Sequence, residues 1–496
     1  MTKWFFLTGL LVVLTTQAVH AADRVALVIG MSSYENIQPL KNTQRDAEGV
    51  SATLTDIGFD VVTAIDATQS ELLEIMERFE FRAETADLAL IYFAGHGVEV
   101  EGVNYLVPVD AAPRQDGDIQ RQSVSLRQFL ETVDAARQMR VVILDSCRDN
   151  PFTDIDGLSA APSLASGDAG GGLAPASPDR GTLVAFAARD GQVAFDGLGE
   201  NSPFAEALMD NMRKPGLEIG LMFRQVRDEV LKKTQNLQEP HTYGSLSGAP
   251  YYLAGPATGE EPFFTIEDRT VAWSRIKPEQ ELQLAALAER GDTRSMLGLA
   301  YMRLNPEAQS FNPNEAVALL ERAAAAGSPE AQYELAKLYE KGIGVEQDPR
   351  KSLEFFQAAA AQDFADAIND LGFMHYQGLL GLREDKQAAL RLFERAANLR
   401  HPQAQFNFAA LIDDGLIDGQ GAEESARYLY AALRSGSSDV LEILTTRPTM
   451  FKAATRKALQ VLLQDKGFYA GAIDGDFGPG TKRSLSVAYS GKTDSL

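Results

Sequence analysis

Between residues 24 and 255 the chain alternates short apolar runs with longer amphipathic stretches. The runs `RVALVIG` (24–30), `FDVVTAID` (59–66), `ADLALIYFAG` (86–95), `MRVVILDSC` (139–147) and `GTLVAFAA` (181–188) have the length and content of buried strands. Between them, `TQRDAEGVSATLTDIG` (43–58) repeats its apolar positions at helical spacing through Ala47, Val50, Leu54 and Ile57. `SELLEIMERFEFRAE` (70–84), `SLRQFLETVDAAR` (125–137) and `SPFAEALMDNM` (202–212) likewise read as helices. Strands alternating with helices of this length predict an α/β domain over 23–256, with a mostly parallel sheet flanked by helices on both faces. Ligand sites in such sheets lie at the carboxyl ends of the strands. One internal stretch departs from the pattern. Residues 153–180 are rich in Gly, Ala, Ser and Pro, carry no apolar period and read as a flexible loop inside the domain.

After an expected linker at 257–280 the period changes. Two amphipathic helices recur per unit, and Ala323, Ala359, Ala396 and Ala432 stand 36, 37 and 36 residues apart. That period predicts an all-α solenoid over 281–440. The motif, with `YEKGIGVEQDPRKSLEFFQAAA` (339–360) as its clearest copy, resembles the Sel-like repeats, relatives of the tetratricopeptide repeats. The resemblance implies a protein partner on the concave face; the plainer reading is a spacer. The last segment, `TRKALQVLLQDKGFYAGAIDGDFGPGTKRSLSVAY` (455–489), predicts a small helical module over 451–490 and resembles peptidoglycan-binding domains. Its glycine-rich loop beside Tyr469, Asp474 and Phe477 offers a shallow groove for sugars. The closing helix is short and lacks that family's aromatic-Gln end, so a structural cap on the solenoid stands as the second reading.

Charge and the first residues narrow the setting. The formal net charge is −23, which argues against nucleic acid as a partner, because phosphate contacts need clustered Lys and Arg. The start `MTKWFFLTGLLVVLTTQAVHAADR` has a basic residue, a short apolar core and small residues at a cleavage position, and reads as a signal peptide over 1–22. The expectation is an exported protein, periplasmic or associated with the cell envelope, with no stable membrane span after cleavage.

Export sharpens the meaning of the single cysteine, Cys147, which cannot form an intramolecular disulfide. It is either a small buried hydrophobe or a reactive thiol. A thiol nucleophile needs a base and donors for an oxyanion. Of five histidines, His96 and His241 fall in the first domain, and only His96 ends a predicted strand, in `LIYFAGHG`; His241 reads as incidental, in a Pro-flanked loop.

`YFAGHG`, placed 51 residues before the cysteine of `LDSC`, resembles the His–Cys dyad of the caspase and metacaspase clan of cysteine peptidases. `ALVIG.SSY....PLKNTQRDAEGVSATLTDIGFDV` and `SLSGAPYYL` extend the likeness over about 24–255. The resemblance implies a cysteine-type endopeptidase acting on protein or peptide substrates, with Cys147 as nucleophile and His96 as acid–base or carbonyl-polarising group. The backbone N–H groups of Gly97 and Cys147 would form the oxyanion hole. Asp145 stands where animal caspases have a glutamine, and a looser alignment puts Asp196 where they have an arginine. Two carboxylates would reject Asp and favour Arg or Lys. Arg180 is the one basic residue of the Gly/Ala-rich loop and a candidate autocleavage site. No cofactor or metal is expected; calcium activates some metacaspases, but no `DxDxDG` loop is present here. The alternative is an inactive caspase-like scaffold working through its repeats.

Overall fold

The computed structural model describes residues 24–146, 181–189, 194–195, 199–246, 250–255, 273, 276 and 278–490. In the first domain, β1 (Arg24–Gly30), β2 (Asp60–Ile65), β3 (Leu88–Ala94), β7 (Met139–Asp145), β8 (Thr182–Phe186) and β9 (His241–Ser245) form one sheet in the order β2-β1-β3-β7-β8-β9. Only β9 runs antiparallel, against β8. The period-2 alternation of a strand sorts its side chains between two cores. Ala26 and Val28 of β1, Leu90 and Tyr92 of β3, and Val141 and Ile143 of β7 pack under α1 (Thr43–Asp56), α5 (Pro203–Met212) and α6 (Ile219–Lys233). The intervening Leu27, Ile91, Phe93 and Val142 pack against α2 (Gln69–Ala83) and α4 (Leu126–Asp134) on the other face. Both faces are therefore covered, which is why these runs are continuously apolar.

Several elements have no counterpart in the alternating pattern. A small antiparallel sheet of β4 (Gly97–Val100), β5 (Val103–Leu106) and β6 (Val124–Ser125) follows His96 directly, with α3 (Asp116–Gln122) between its last two strands. Strands of two to four residues are too short to show a period, so tertiary context decides them. β7 ends at Asp145, two residues before the predicted end, and His241 opens the edge strand β9, not a loop.

Four helix pairs make the solenoid: Thr293–Leu304 with Pro313–Ala325, Pro329–Lys341 with Pro349–Ala361, Ala365–Gln377 with Lys386–Asn398, and Pro402–Asp414 with Ala422–Arg434. Ala323, Ala359, Ala396 and Ala432 are all fully buried, as expected of positions where helices approach closely. Each first helix of the last three pairs ends at a glycine in the left-handed region, Gly342, Gly378 and Gly415.

The array grips the first domain at both ends. At its start, Arg294 pairs with Glu218 at 2.6 Å and Asp292 with Arg224 at 2.6 Å. The expected linker contributes to this contact. Trp273 is fully buried, a Cβ on Gly298 would lie 2.7 Å from its ring, and the helix Pro278–Glu289 begins inside the same segment. At the far end, buried Arg434 reaches Glu84 (2.9 Å) and the carbonyl of Phe81 (3.1 Å) in the first domain, and the carbonyl of Ala488 (2.7 Å) in the last helix. Its guanidinium lies over the rings of Phe81 and Phe468. Arg137 of the first domain donates to the carbonyls of Arg434 and Tyr489.

The C-terminal helices Ala453–Asp465 and Pro479–Ser490 are joined by a loop built around Gln460. This fully buried amide accepts from the Gly475 N–H and donates to Asp474 and Thr481. Phe477 is buried, whereas Asp474 remains exposed. Among the described residues no helix is long and apolar enough to cross a membrane.

Candidate active site

The chain leaves β1 toward β2 on one side and returns through β3 on the other, so the strand order reverses between β1 and β3. A crevice opens at the carboxyl ends of strands where the order reverses. His96 follows β3 at this place, and the loop 31–42 follows β1 beside it. Two residues of that loop hold the histidine. The Tyr34 hydroxyl accepts the His96 backbone N–H at 2.8 Å and donates to the Val107 carbonyl at 3.2 Å. The Tyr34 and His96 rings lie 4.7 Å apart. His96 Nε2 stands 2.9 Å from the carbonyl oxygen of Gln38. A carbonyl only accepts, so Nε2 carries the proton and Nδ1 is the basic nitrogen of the neutral ring. Gly95 is required by this arrangement, since a Cβ there would lie 2.7 Å from the Tyr34 hydroxyl. Burial pushes the Tyr34 phenol above its ordinary range, so it stays a neutral donor.

β3 and β7 pair in parallel from Leu88↔Met139 to Ala94↔Asp145. Every paired position on β7 is numbered 51 above its partner on β3. The offset equals the spacing of His96 and Cys147, each two residues past the last pair. Gly95 N–H still donates to the Asp145 carbonyl at 3.3 Å, so the two chains remain adjacent there.

Asp145 belongs to the alternate set of β7 and turns toward α1 and α5. Its buried carboxylate accepts from the Ser202 hydroxyl (2.8 Å) and the Tyr92 hydroxyl (3.1 Å). Ser202 is the N-cap of α5, and its own N–H donates to the buried carboxylate of Asp46 in the first turn of α1 (3.0 Å). Asn201 donates to the same carboxylate oxygen at 2.8 Å. Burial, then the Asp145 and Asp46 charges, push the Tyr92 phenol well above its ordinary range. Two buried carboxylates thus share one serine beneath the crevice. Asp46 gives no sequence signal of this, because an acid in a first helical turn is ordinary dipole compensation.

Gly97 is buried as the first residue of β4, paired with Leu106. Cys147, Arg180 and Asp196 lie outside the described residues, as does the expected signal peptide. Beside Asp196, the half-exposed Phe195 has its N–H held by Gln238 at 3.1 Å. His241 sits on the far edge strand against Tyr243, away from His96. Among the described residues no group of three or more His, Asp or Glu could hold a metal ion.

Residues 23–251 match the caspase domain family, and 293–328, 329–364 and 365–401 match three Sel1 repeats. The chain carries a caspase-like domain and Sel1 repeats. The chain is 31% identical over 161 residues, 31% of its own length and 19% of the other's, to the human mucosa-associated lymphoid tissue lymphoma translocation protein 1. Chitin synthase regulatory factor 3 of Schizosaccharomyces pombe is 30% identical over 173 residues, 32% of this chain and 18% of the other. The chain spans about a fifth of the length of these relatives. Among solved structures, caspase-1 from Spodoptera frugiperda is 15% identical with a TM-score of 0.34, covering 49% of this chain and 93% of that one.

Proposed function

We propose that the caspase-like domain is a cysteine endopeptidase in which Cys147 and His96 form the dyad. The observation that carries this reading is the β3–β7 register, whose offset of 51 equals the dyad spacing. The Cys147 thiolate attacks the scissile carbonyl after His96 takes its proton. The oxyanion is stabilised by the backbone N–H groups of Gly97 and Cys147. His96 then returns the proton to the departing amine, and water hydrolyses the thioester. The Gln38 carbonyl supports this role by fixing the imidazole tautomer and by stabilising the imidazolium formed during transfer.

The preferred substrates are cut after Arg or Lys. Asp145, joined here by Asp46, supports that preference, because a basic side chain meets carboxylates already excluded from bulk water. Asp196 adds a third acid to the same specificity. Arg180 then becomes a site of self-cleavage. The protein works outside the cytoplasm, its repeats present a protein partner or substrate, and the C-terminal module is a candidate for peptidoglycan.

Similarity to chitin synthase regulatory factors favours a second reading, a non-catalytic regulator that acts through its repeats. Hydrolysis of fluorogenic peptides ending in Arg, Lys or Asp separates the two. Wild type cleaves the Arg and Lys peptides, and Cys147→Ala and His96→Ala do not. Equal turnover by the variants refutes the dyad, and a preference for Asp refutes the specificity.

A further inference from the structure

Asp66 stands at the end of β2 with φ of 49°, a conformation that L-residues other than Asn and Asp seldom adopt. Its Oδ1 accepts the N–H groups of Ser32 (2.6 Å) and Ser33 (2.9 Å), the residues just before Tyr34. The same loop is closed on itself by the Ser32 hydroxyl on the Leu40 carbonyl (2.7 Å) and the Leu40 N–H on the Ser32 carbonyl (3.1 Å). It is tied across to the small-sheet side by the Glu35 N–H on the Val109 carbonyl. Two contacts that orient His96, the Tyr34 hydroxyl and the Gln38 carbonyl, are carried on this one loop.

We propose that Tyr34 and Asp66 are positioning residues for His96, Asp66 fixing the loop and Tyr34 transmitting its position to the histidine backbone and ring. This rests on the dyad reading. Neither residue touches substrate. Tyr34 joins three groups: the His96 N–H, the Val107 carbonyl, and through its ring the imidazole. Val107 in turn donates to the His96 carbonyl, so both backbone groups of His96 are held. Removing the Tyr34 hydroxyl takes away the acceptor of the His96 backbone N–H and the donor to the Val107 carbonyl, so the backbone that carries the imidazole loses this anchor to the loop while the ring contact stays.

The test uses the full chain, and Cys147, as the only cysteine, gives a single-site readout. Tyr34→Phe, Asp66→Ala, Asp66→Asn and His96→Ala are compared with wild type for kcat, KM, melting temperature and the rate of Cys147 alkylation by iodoacetamide at neutral pH. Misplacing a catalytic group by about 1 Å costs on the order of a hundredfold. Tyr34→Phe and Asp66→Ala are therefore expected to lose roughly ten- to a hundredfold in kcat with little change in KM. Their alkylation rates fall toward that of His96→Ala. Asp66→Asn, which keeps an acceptor oxygen and tolerates positive φ, restores most of the loss. Wild-type kcat and alkylation rate in both Tyr34→Phe and Asp66→Ala overturn the proposal, as does a loss that only tracks the melting temperature. If wild type itself shows no Cys147-dependent hydrolysis and alkylates like His96→Ala, the dyad reading has failed, a result distinct from either.

Discussion

Ser202 joins a helix start and two buried carboxylates beneath the crevice. Its hydroxyl caps α5 through the Ala205 N–H, donates to Asp145, and its backbone meets Asp46. Ser202→Ala removes a helix cap and a hydrogen bond to a buried carboxylate, so it should cost about 1–3 kcal/mol in urea denaturation. Asp46→Asn should raise KM for an Arg peptide with a smaller change in kcat, measured by steady-state kinetics; an unchanged KM removes Asp46 from substrate recognition. Asp66 carries a pH signature. Burial raises its carboxyl, but the N–H donors of Ser33 and Ser32 outweigh this and hold it below its ordinary value. A depressed folded value contributes stability above the unfolded value, and that contribution is lost as pH falls through the folded value. Asp66→Asn should therefore lessen the fall in melting temperature below about pH 4. At this scale the sequence is legible only where one residue type has one use. A lone cysteine and a Gly-flanked histidine stand out in the chain as candidates, whereas Asp46 and Ser202 look like ordinary helix ends and gain their second partners from residues 156 positions away in one case and 57 in the other.

Among the elements, those with a full period were legible and those without one were not. β1, β3 and β7 are seven residues each, and their apolar content outlasts any local ambiguity. β4 and β5 have four residues each and β6 two, so no alternation could mark them, although β4 starts at Gly97 and closes one side of the site. The repeats were legible because the same small residue returns at the same place. The segment before them was harder, since a single tryptophan carries no period. Trp273 packs on Gly298, where no side chain fits. Gly298→Ala should cost about 1–3 kcal/mol by thermal or chemical denaturation. No destabilisation would mean that Trp273 is not seated there.

Over the whole molecule, the repeats touch the first domain at both ends, and Arg434 is the common member of the far contact. It bonds to the first domain and the last helix from within the solenoid, with its side chain almost wholly buried. Arg434→Met would leave Glu84 and two carbonyls without this donor. Breaking a buried pair costs about 3–5 kcal/mol, and hydrogen exchange should rise together in 453–490 and around Phe81. Exchange confined to the mutated helix would show that the ends move independently. Nothing in the sequence announces this closure, because its partners lie up to 353 residues apart.

The central claim, a thiol–imidazole dyad behind an acidic specificity pocket, is tested most directly by covalent trapping. An acyloxymethyl ketone peptide ending in Arg should add one equivalent to Cys147 in intact-mass and peptide-mapping measurements. The same peptide ending in Asp should leave the protein unmodified, and His96→Ala should abolish the Arg adduct. Equal labelling by the Arg and Asp probes, or full labelling without His96, would contradict the account.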